Sequence, residues 1–414
     1  MKVLWVCNIV LPDFSGEFGF RKNNFGGWIT GMLNHLEEKV DISLCFPIYD
    51  HARMRDGYAC GHRYYSFPSY GSEYAEQTKN RFVDIINIEN PDLIQIWGTE
   101  YPHSYAMISA ADEVGMLNKT IIYIQGLVSV YALHFCLGVP SKFLSLKVGG
   151  YCTIDDSRNA FVSQGAYEIR TIKKAQNIIG RTLWDKACVS RINLDAHYYY
   201  CGEILREEIY KNQNTWTYSD CIKHSIFVSQ ASYPVKGFHI LLGAMQDIVG
   251  RFPDTHVFVG GNNPMKTDSN GNISPYGQYL RELIDEFGLT DNITFLGLLD
   301  TPRMIKQYKN ANVFVSASTI ENSSNSVYEA AVIGCPIISS FVGGIKDVVG
   351  ESRRCYYYQS DAPYMLAHYI MIIFSEDFEE DPDMHIIRTG APEENAEYMM
   401  SIYNNVSHNT KNDL

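Results

Sequence analysis

Ala311-Asn-Val-Phe-Val-Ser-Ala-Ser-Thr-Ile-Glu321-Asn-Ser-Ser-Asn-Ser-Val-Tyr-Glu329-Ala-Ala-Val-Ile-Gly334 reads as a strand, a polar loop and a short helix. Residues 311–316 are short, apolar and β-branched, the pattern of a buried strand. Asn322 to Ser326 supply helix N-cap residues, Val327 to Ile333 continue as helix, and Gly334 stops it. Glu321 is therefore expected on a loop at the carboxyl end of a strand and Glu329 on the helix that follows. In an open α/β sheet that edge is where ligands bind. The unpaired N–H groups of a helix start at Asn325, Ser326 and Val327 suit a phosphate.

Outward from this unit, strands and helices alternate through both halves of the chain. In the first half, strands are expected at 3–7, 40–45, 93–96, 120–124 and 177–179, with a helix near 28–36. In the second half, strands are expected at 225–228, 256–259, 293–296, 313–315 and 336–339, with helices at 237–249 and 276–287. The expected class is α/β, with two Rossmann-like doubly wound domains facing a cleft. The expected division is 1–210, 221–390 and a tail, 391–414, packing back on the first domain, with a hinge in the polar stretch 211–220. Residues 126–165 fit the alternation poorly. Leu133, Cys136, Leu137, Phe143 and Leu146 make an amphipathic stretch expected near the first domain's cleft, either a covering helix and loop or a docking element for an acceptor or a membrane surface.

The chain has 414 residues, too many for one core, and a 46% hydrophobic, 20% charged composition of ordinary globular type. The formal net charge of −13 argues against a nucleic-acid partner and against adhesion to anionic lipid through overall charge. No run of eighteen apolar residues occurs, and the first ten residues read as a strand rather than a signal peptide. The ten cysteines form no C-x-x-C pair or zinc-spaced cluster. They are expected as buried thiols of a cytoplasmic protein, with peripheral contact through the first domain at the inner face of a membrane as a further expectation. The cations between Arg170 and Arg191 are a candidate basic patch or simply a solvated helix face.

Several motifs together resemble family 4 of the retaining glycosyltransferases, of the GT-B fold. Glu321-x7-Glu329 matches the family's E-x7-E motif. Gly334-Cys-Pro-Ile-Ile-Ser-Ser-Phe-Val-Gly-Gly344 matches the strand and Gly-Gly turn that follow it. Ser229-Gln-Ala-Ser-Tyr-Pro-Val-Lys-Gly237 matches the loop bearing a phosphate-binding lysine, and Gly26-Gly-Trp28 the glycine loop after the first strand. The resemblance implies transfer of a sugar from a nucleotide-diphosphate sugar to a glycan or lipid-linked acceptor, with retention of anomeric configuration, in polysaccharide or glycoconjugate assembly. It implies that Glu321 holds the donor sugar at the reacting centre, Glu329 the ribose hydroxyls, and Lys236 the diphosphate. A nucleotide-sugar epimerase and a non-catalytic sugar-binding protein are the alternatives.

The chain departs from the family where an arginine usually precedes the lysine: the position is held by Gln230, an uncharged donor. Arg181 is a candidate for the second cation, or else a structural partner of Asp185. Gly26 and Gly27 would let backbone approach a phosphate or acceptor closely, or form a tight turn. Gln95 and Trp97 stand where related enzymes carry histidines. That leaves His103 and Glu100, read in a polar loop, as candidates to orient an acceptor or donor hydroxyl, and Gln125-Gly126 as a further contact. Gly261 and Leu298 end strands where the nucleotide base would lie. Asp381-Pro-Asp383 spells a metal-binding D-x-D, but in an acidic stretch away from any strand end, so no metal or other cofactor is expected.

Overall fold

Leu4, Val6, Ile94, Ile96, Ile122 and Ile178 lie within short apolar runs and are fully buried in one hydrophobic cluster. Each such side chain stabilises the fold by about 1.5–3 kcal/mol when taken from water. Runs buried on both faces carry the continuous apolar pattern of a parallel sheet. The computed structural model describes residues 1–21, 26–71, 73–350, 354–376 and 391–408.

Eight strands form the first sheet: β1 (Lys2–Val6), β2 (Asp41–Ile48), β3 (Gly57–Ala59), β4 (His62–Pro68), β5 (Leu93–Trp97), β6 (Thr120–Tyr123), β7 (Asn177–Gly180) and β8 (His197–Tyr200). Their order is β3-β4-β2-β1-β5-β6-β7-β8. All pairs are parallel except the hairpin β3–β4. Six more form the second sheet: β9 (Ile222–Val228), β10 (His256–Gly260), β11 (Ile293–Gly297), β12 (Ala311–Ser316), β13 (Ile337–Ser340) and β14 (Cys355–Tyr358). Their order is β11-β10-β9-β12-β13-β14, parallel throughout. Both units are Rossmann-like, the α/β class read from the sequence.

The units are not contiguous in the chain. One gathers Met1–Val130, Ala160–Arg206 and the last helix, Pro392–His408; the other gathers Tyr131–Asn159 and the chain from Glu207 through the helix Pro363–Ser375. The stretch read as a hinge, 211–220, thus lies inside the second unit. Trp216 anchors it there, its N–H donating to Ile333 O at 3.0 Å and its Nε1 to Ala311 O at 2.8 Å.

Residues 131–159, expected in the first domain, cluster with the second unit for an equally local reason. Phe143 packs on Tyr279 with ring centroids 4.9 Å apart, and Tyr279 Oη donates to Gly138 O at 3.1 Å. His239 lies between Leu137 O, 2.8 Å from Nε2, and Tyr276 Oη, 3.1 Å from Nδ1. Of the residues read as an amphipathic stretch, Phe143 is buried while Leu133 remains exposed. In the first unit, Tyr403 of the last helix donates to Gln95 Oε1 at 2.7 Å and accepts from Trp5 Nε1 at 3.0 Å.

Candidate functional site

In the second sheet the chain leaves β9 toward β10 and β11 on one side, and β12 toward β13 and β14 on the other. The loops after β9 and β12 therefore flank a topological switch point, where open sheets of this kind receive ligands. The loop after β9 ends in a single tight turn, Pro234–Lys236, closed by Gly237 at φ +66°. A Cβ on Gly237 would lie 1.8 Å from Ala317 O, so this loop rests backbone to backbone on the loop after β12. Thr319 N–H donates to Val235 O at 2.8 Å across the same contact.

That contact brings Lys236 Nζ to 2.5 Å from Glu321 Oε1. Ser318 Oγ donates to the same oxygen at 2.9 Å. Burial pulls the Lys236 pKa down, but the Glu321 carboxylate and Tyr233 outweigh it and hold the net value above the ordinary lysine range. Lys236 is thus a fixed cation. Glu321 is held from behind as well: Gly344 N–H donates to its carbonyl at 3.1 Å, and a Cβ on Gly343 (φ +53°) would lie 1.7 Å from that carbonyl oxygen. The inserted segment reaches the same loop. Asn322 N–H donates to Tyr131 Oη at 2.8 Å, and Thr319 Oγ1 to His134 O at 2.9 Å. Ser318 and Tyr131 were not singled out in the sequence, where no spacing connects Tyr131 to residues nearly two hundred positions on.

The helix expected after Glu321 spans Asn325–Ile333 and ends at Gly334 with φ +90°. Its N-cap, Ser324, makes no side-chain cap bond to the backbone of the helix start; its Oγ lies 3.1 Å from Ser326 Oγ instead. Asn325 Oδ1 is buried without a hydrogen-bond partner among the described residues. Glu329, buried on this helix, accepts a hydrogen bond from Tyr308 Oη at 3.0 Å. Gln230 donates to Ser232 Oγ at 3.3 Å and lies against Gly261, whose missing Cβ would meet Gln230 Cγ at 3.6 Å. Gly261 (φ +81°) donates its N–H to Gly297 O at 2.9 Å, and the next residue, Leu298, is exposed. Lys236, Gln230, Gly261, Leu298, Glu321, Glu329 and the helix start thus all lie in the second unit, at or just beyond strand ends.

The first-unit candidates fall differently. Gly26 is the left-handed N-cap of the helix Gly27–Leu36, and a Cβ there would press on Ile9 Cδ1 at 2.6 Å. A Cβ on Gly27 would meet the Arg206 side chain at 3.2 Å. Arg181 is buried and pairs with Glu203, and its Nη2 donates to Gln125 O. Asp185, the partner expected for it, instead accepts the Arg181 backbone N–H at 2.9 Å and the Tyr198 hydroxyl. Arg181 is a structural cation of the first unit. His103 is not in a polar loop. Pro102 starts the helix Pro102–Glu113, and His103 is buried in its first turn beside Phe67, ring centroids 5.1 Å apart. Burial lowers its pKa to about 3. Proline at the first helical position was read as loop chemistry although it equally opens a helix. Asp381 and Asp383 lie outside the described residues. Among the described residues no group of His, Cys, Asp and Glu has the form of a metal site, and no helix is long and apolar enough to cross a membrane.

Residues 223–390 match the family described as Glycosyl transferases group 1. Spore coat protein SA of Bacillus subtilis is 33% identical over 133 residues, 32% of this chain and 33% of that protein. The chain's matches to its first curated relatives span only about a quarter to a third of their length. Among solved structures, sucrose-phosphate synthase from Thermosynechococcus elongatus superposes with a TM-score of 0.64 at 14% identity, covering 98% of this chain and 96% of that one. Anabaena HepE in complex with UDP-glucose superposes with a TM-score of 0.61 at 14% identity, covering 99% of each chain. The fold is the GT-B fold of these neighbours.

Proposed function

We propose that the protein is a retaining glycosyltransferase that moves a sugar from a nucleotide-diphosphate sugar to an acceptor hydroxyl, in the assembly of a polysaccharide or other glycoconjugate. The observation that carries this reading is the Lys236–Glu321 pair at the switch point of the second sheet, in a segment that matches a glycosyltransferase family. Cleavage of the donor builds negative charge on the leaving diphosphate and positive charge at the anomeric carbon. A preorganised cation beside the diphosphate and a carboxylate beside the sugar stabilise both charges where they develop. Lys236 takes the first role, helped by the N–H groups at the start of the helix Asn325–Ile333. Glu321 takes the second. Glu329 receives the ribose hydroxyls, with Tyr308 steadying its other oxygen. Gln230 supplies a neutral donor to the diphosphate, so Lys236 carries the full countercharge there. Gly261 and Leu298 border the base. No metal is needed in this scheme, and the acceptor belongs to the first unit.

The test is incubation with a panel of nucleotide sugars, beginning with UDP-glucose, followed by NMR of the released sugar. Slow release with the donor's anomeric configuration supports the reading. Interconversion of nucleotide sugars would make the protein an epimerase, and binding without turnover a sugar-binding protein. If Lys236→Ala and Glu329→Ala both left UDP binding unchanged, the donor site would lie elsewhere.

A further inference from the structure

The insert 131–159 is fastened to the second unit at its middle. Phe143 packs on Tyr279, Tyr279 Oη donates to Gly138 O, and Leu137 O meets His239 Nε2. These partners lie on the helices Phe238–Arg251 and Pro275–Glu286. The start of the insert goes elsewhere. Tyr131 and His134 belong to the helix Val128–His134, and Phe135 is the next residue. Four positions apart, the Tyr131 and Phe135 side chains share one face, while Leu133 between them is 79% exposed.

That face meets the two loops that carry Lys236 and Glu321. Thr319 Oγ1 donates to His134 O at 2.9 Å and Asn322 N–H to Tyr131 Oη at 2.8 Å, so the chain is held both before and after Glu321. The buried Phe135 ring lies along Tyr233, with centroids 6.4 Å apart and planes 28° from parallel. Lys236 Nζ stands 5.8 Å from the centre of the same Tyr233 ring, and Tyr233 is among the groups that raise its pKa. The run 131–135 thus reaches both members of the Lys236–Glu321 pair, through Asn322 for the carboxylate and through Tyr233 for the cation. The fastening at Phe143, Tyr279 and His239 is separate from these contacts.

We propose that Tyr131 and Phe135 are positioning residues for sugar transfer: Tyr131 fixes where the Glu321 carboxylate stands, and Phe135 where the Lys236 ammonium stands. Each acts through a neighbour rather than on the donor itself, and the inference rests on the transferase reading of the pair. A carboxylate stabilises charge developing at a sugar only if it is in place beforehand, and a misplacement of about 1 Å costs about a hundredfold in rate. Gly344 N–H holds the Glu321 carbonyl at 3.1 Å, and Tyr131 holds the chain just after it. Removing the Tyr131 oxygen lets Glu321 shift while Lys236 and Glu329 keep their places, so it acts on the chemical step. Removing the Phe135 ring loosens Lys236, so it acts on the diphosphate.

Tyr131→Phe and Phe135→Leu are to be compared with Tyr279→Phe, which loses the bond to Gly138 O and loosens the insert only at its fastening. One measurement needs no turnover: heteronuclear NMR of the Lys236 side-chain ammonium in the full chain, assigned with Lys236→Met. The wild-type signal should be sharp, because pairing with Glu321 slows proton exchange. Tyr131→Phe and Phe135→Leu should each broaden it, and Tyr279→Phe should not. The other measurement is hydrolysis of whichever nucleotide sugar the wild type turns over, with UDP affinity by calorimetry. Tyr131→Phe should lower kcat about tenfold to a hundredfold with KM and UDP affinity unchanged. Phe135→Leu should weaken UDP about threefold, the worth of one aromatic pair. Tyr279→Phe should lower the melting temperature and leave kcat and UDP affinity as they are. An ammonium signal unmoved in Tyr131→Phe and Phe135→Leu, or activity that follows melting temperature alike in all three variants, would make the run a structural element and overturn the proposal. If the wild type turns over no nucleotide sugar, the transferase reading falls, and the ammonium signal still decides whether these residues position the pair.

Discussion

In the proposed donor site Glu329 and Lys236 would bear on the nucleotide in different ways, and single substitutions separate them. Lys236→Met removes the countercharge and leaves Glu321 buried without its cation, so UDP affinity should fall about tenfold to a hundredfold by calorimetry. Uridine affinity should hardly change. Glu329→Gln keeps shape and the Tyr308 contact but replaces a charged acceptor with a weaker one. UDP should bind about tenfold less tightly, and the preference of the wild type for UDP over 2′-deoxy-UDP should shrink with it. Equal preference in wild type and variant would place the ribose away from Glu329. At this scale the sequence placed Glu321 on the loop after a strand and Glu329 on the helix that follows, as the structure has them, but it did not show that Lys236 and Glu321 meet. It was misleading at Arg181 and His103, where partners decide the role. Glu203 and Phe67, which bury these two side chains, lie in other strands or loops and have no fixed spacing to them.

At the scale of elements, two glycines, Gly237 and Gly343, set the loops around Lys236 and Glu321 against each other, and the sequence showed them only as turn residues. Gly343→Ala puts a Cβ where the Glu321 carbonyl stands, at a φ that L side chains avoid. It should cost about 1–3 kcal/mol by urea unfolding and abolish turnover, because Glu321 must move. Gly271→Ala is the control: its φ is also positive, +81°, but nothing lies within 4 Å, so stability should fall less and turnover persist. The insert 131–159 is fixed partly by His239, whose pKa burial lowers from 6.5 to about 4. The unfolded chain binds this proton first as pH falls, so the stabilisation is complete above pH 6.5 and is lost between there and pH 4. The stability difference between wild type and His239→Gln should therefore shrink by up to about 3 kcal/mol from pH 7 to pH 4. Taking the difference removes the opposite trend of Glu100 and Glu168, carboxyls that burial raises to about 7. Apolar strands such as β1, β5 and β12 were read from composition nearly to the residue. The tyrosine-rich edges β8 and β14 were not, because His197-Tyr-Tyr-Tyr200 and Cys355-Tyr-Tyr-Tyr358 lack the aliphatic run that marks a central strand.

At the scale of the molecule, the last helix completes the first unit. Tyr403→Phe removes the hydroxyl that joins Trp5 to Gln95 and strands a buried indole N–H, a loss of about 1–3 kcal/mol. Melting temperature should fall, while UDP affinity, which the proposed function assigns to the second unit, should hold. Alternation of strands and helices was enough to read two Rossmann-like units. It was not enough to assign the chain to them, because segment exchange depends on contacts such as Phe143 with Tyr279 and Trp5 with Tyr403.

Those exchanges govern the order in which the protein can be made. Trp5 and Tyr403 are 398 positions apart, so the unit whose strands are made first stays unfinished until Tyr403 has been translated. The second unit in turn must wait with a segment that emerged long before its own strands. Domains ordinarily fold one after another as they are synthesised. Here both halves must mature together, late, and a chain stalled at residue 390 should expose Trp5 and remain open to protease.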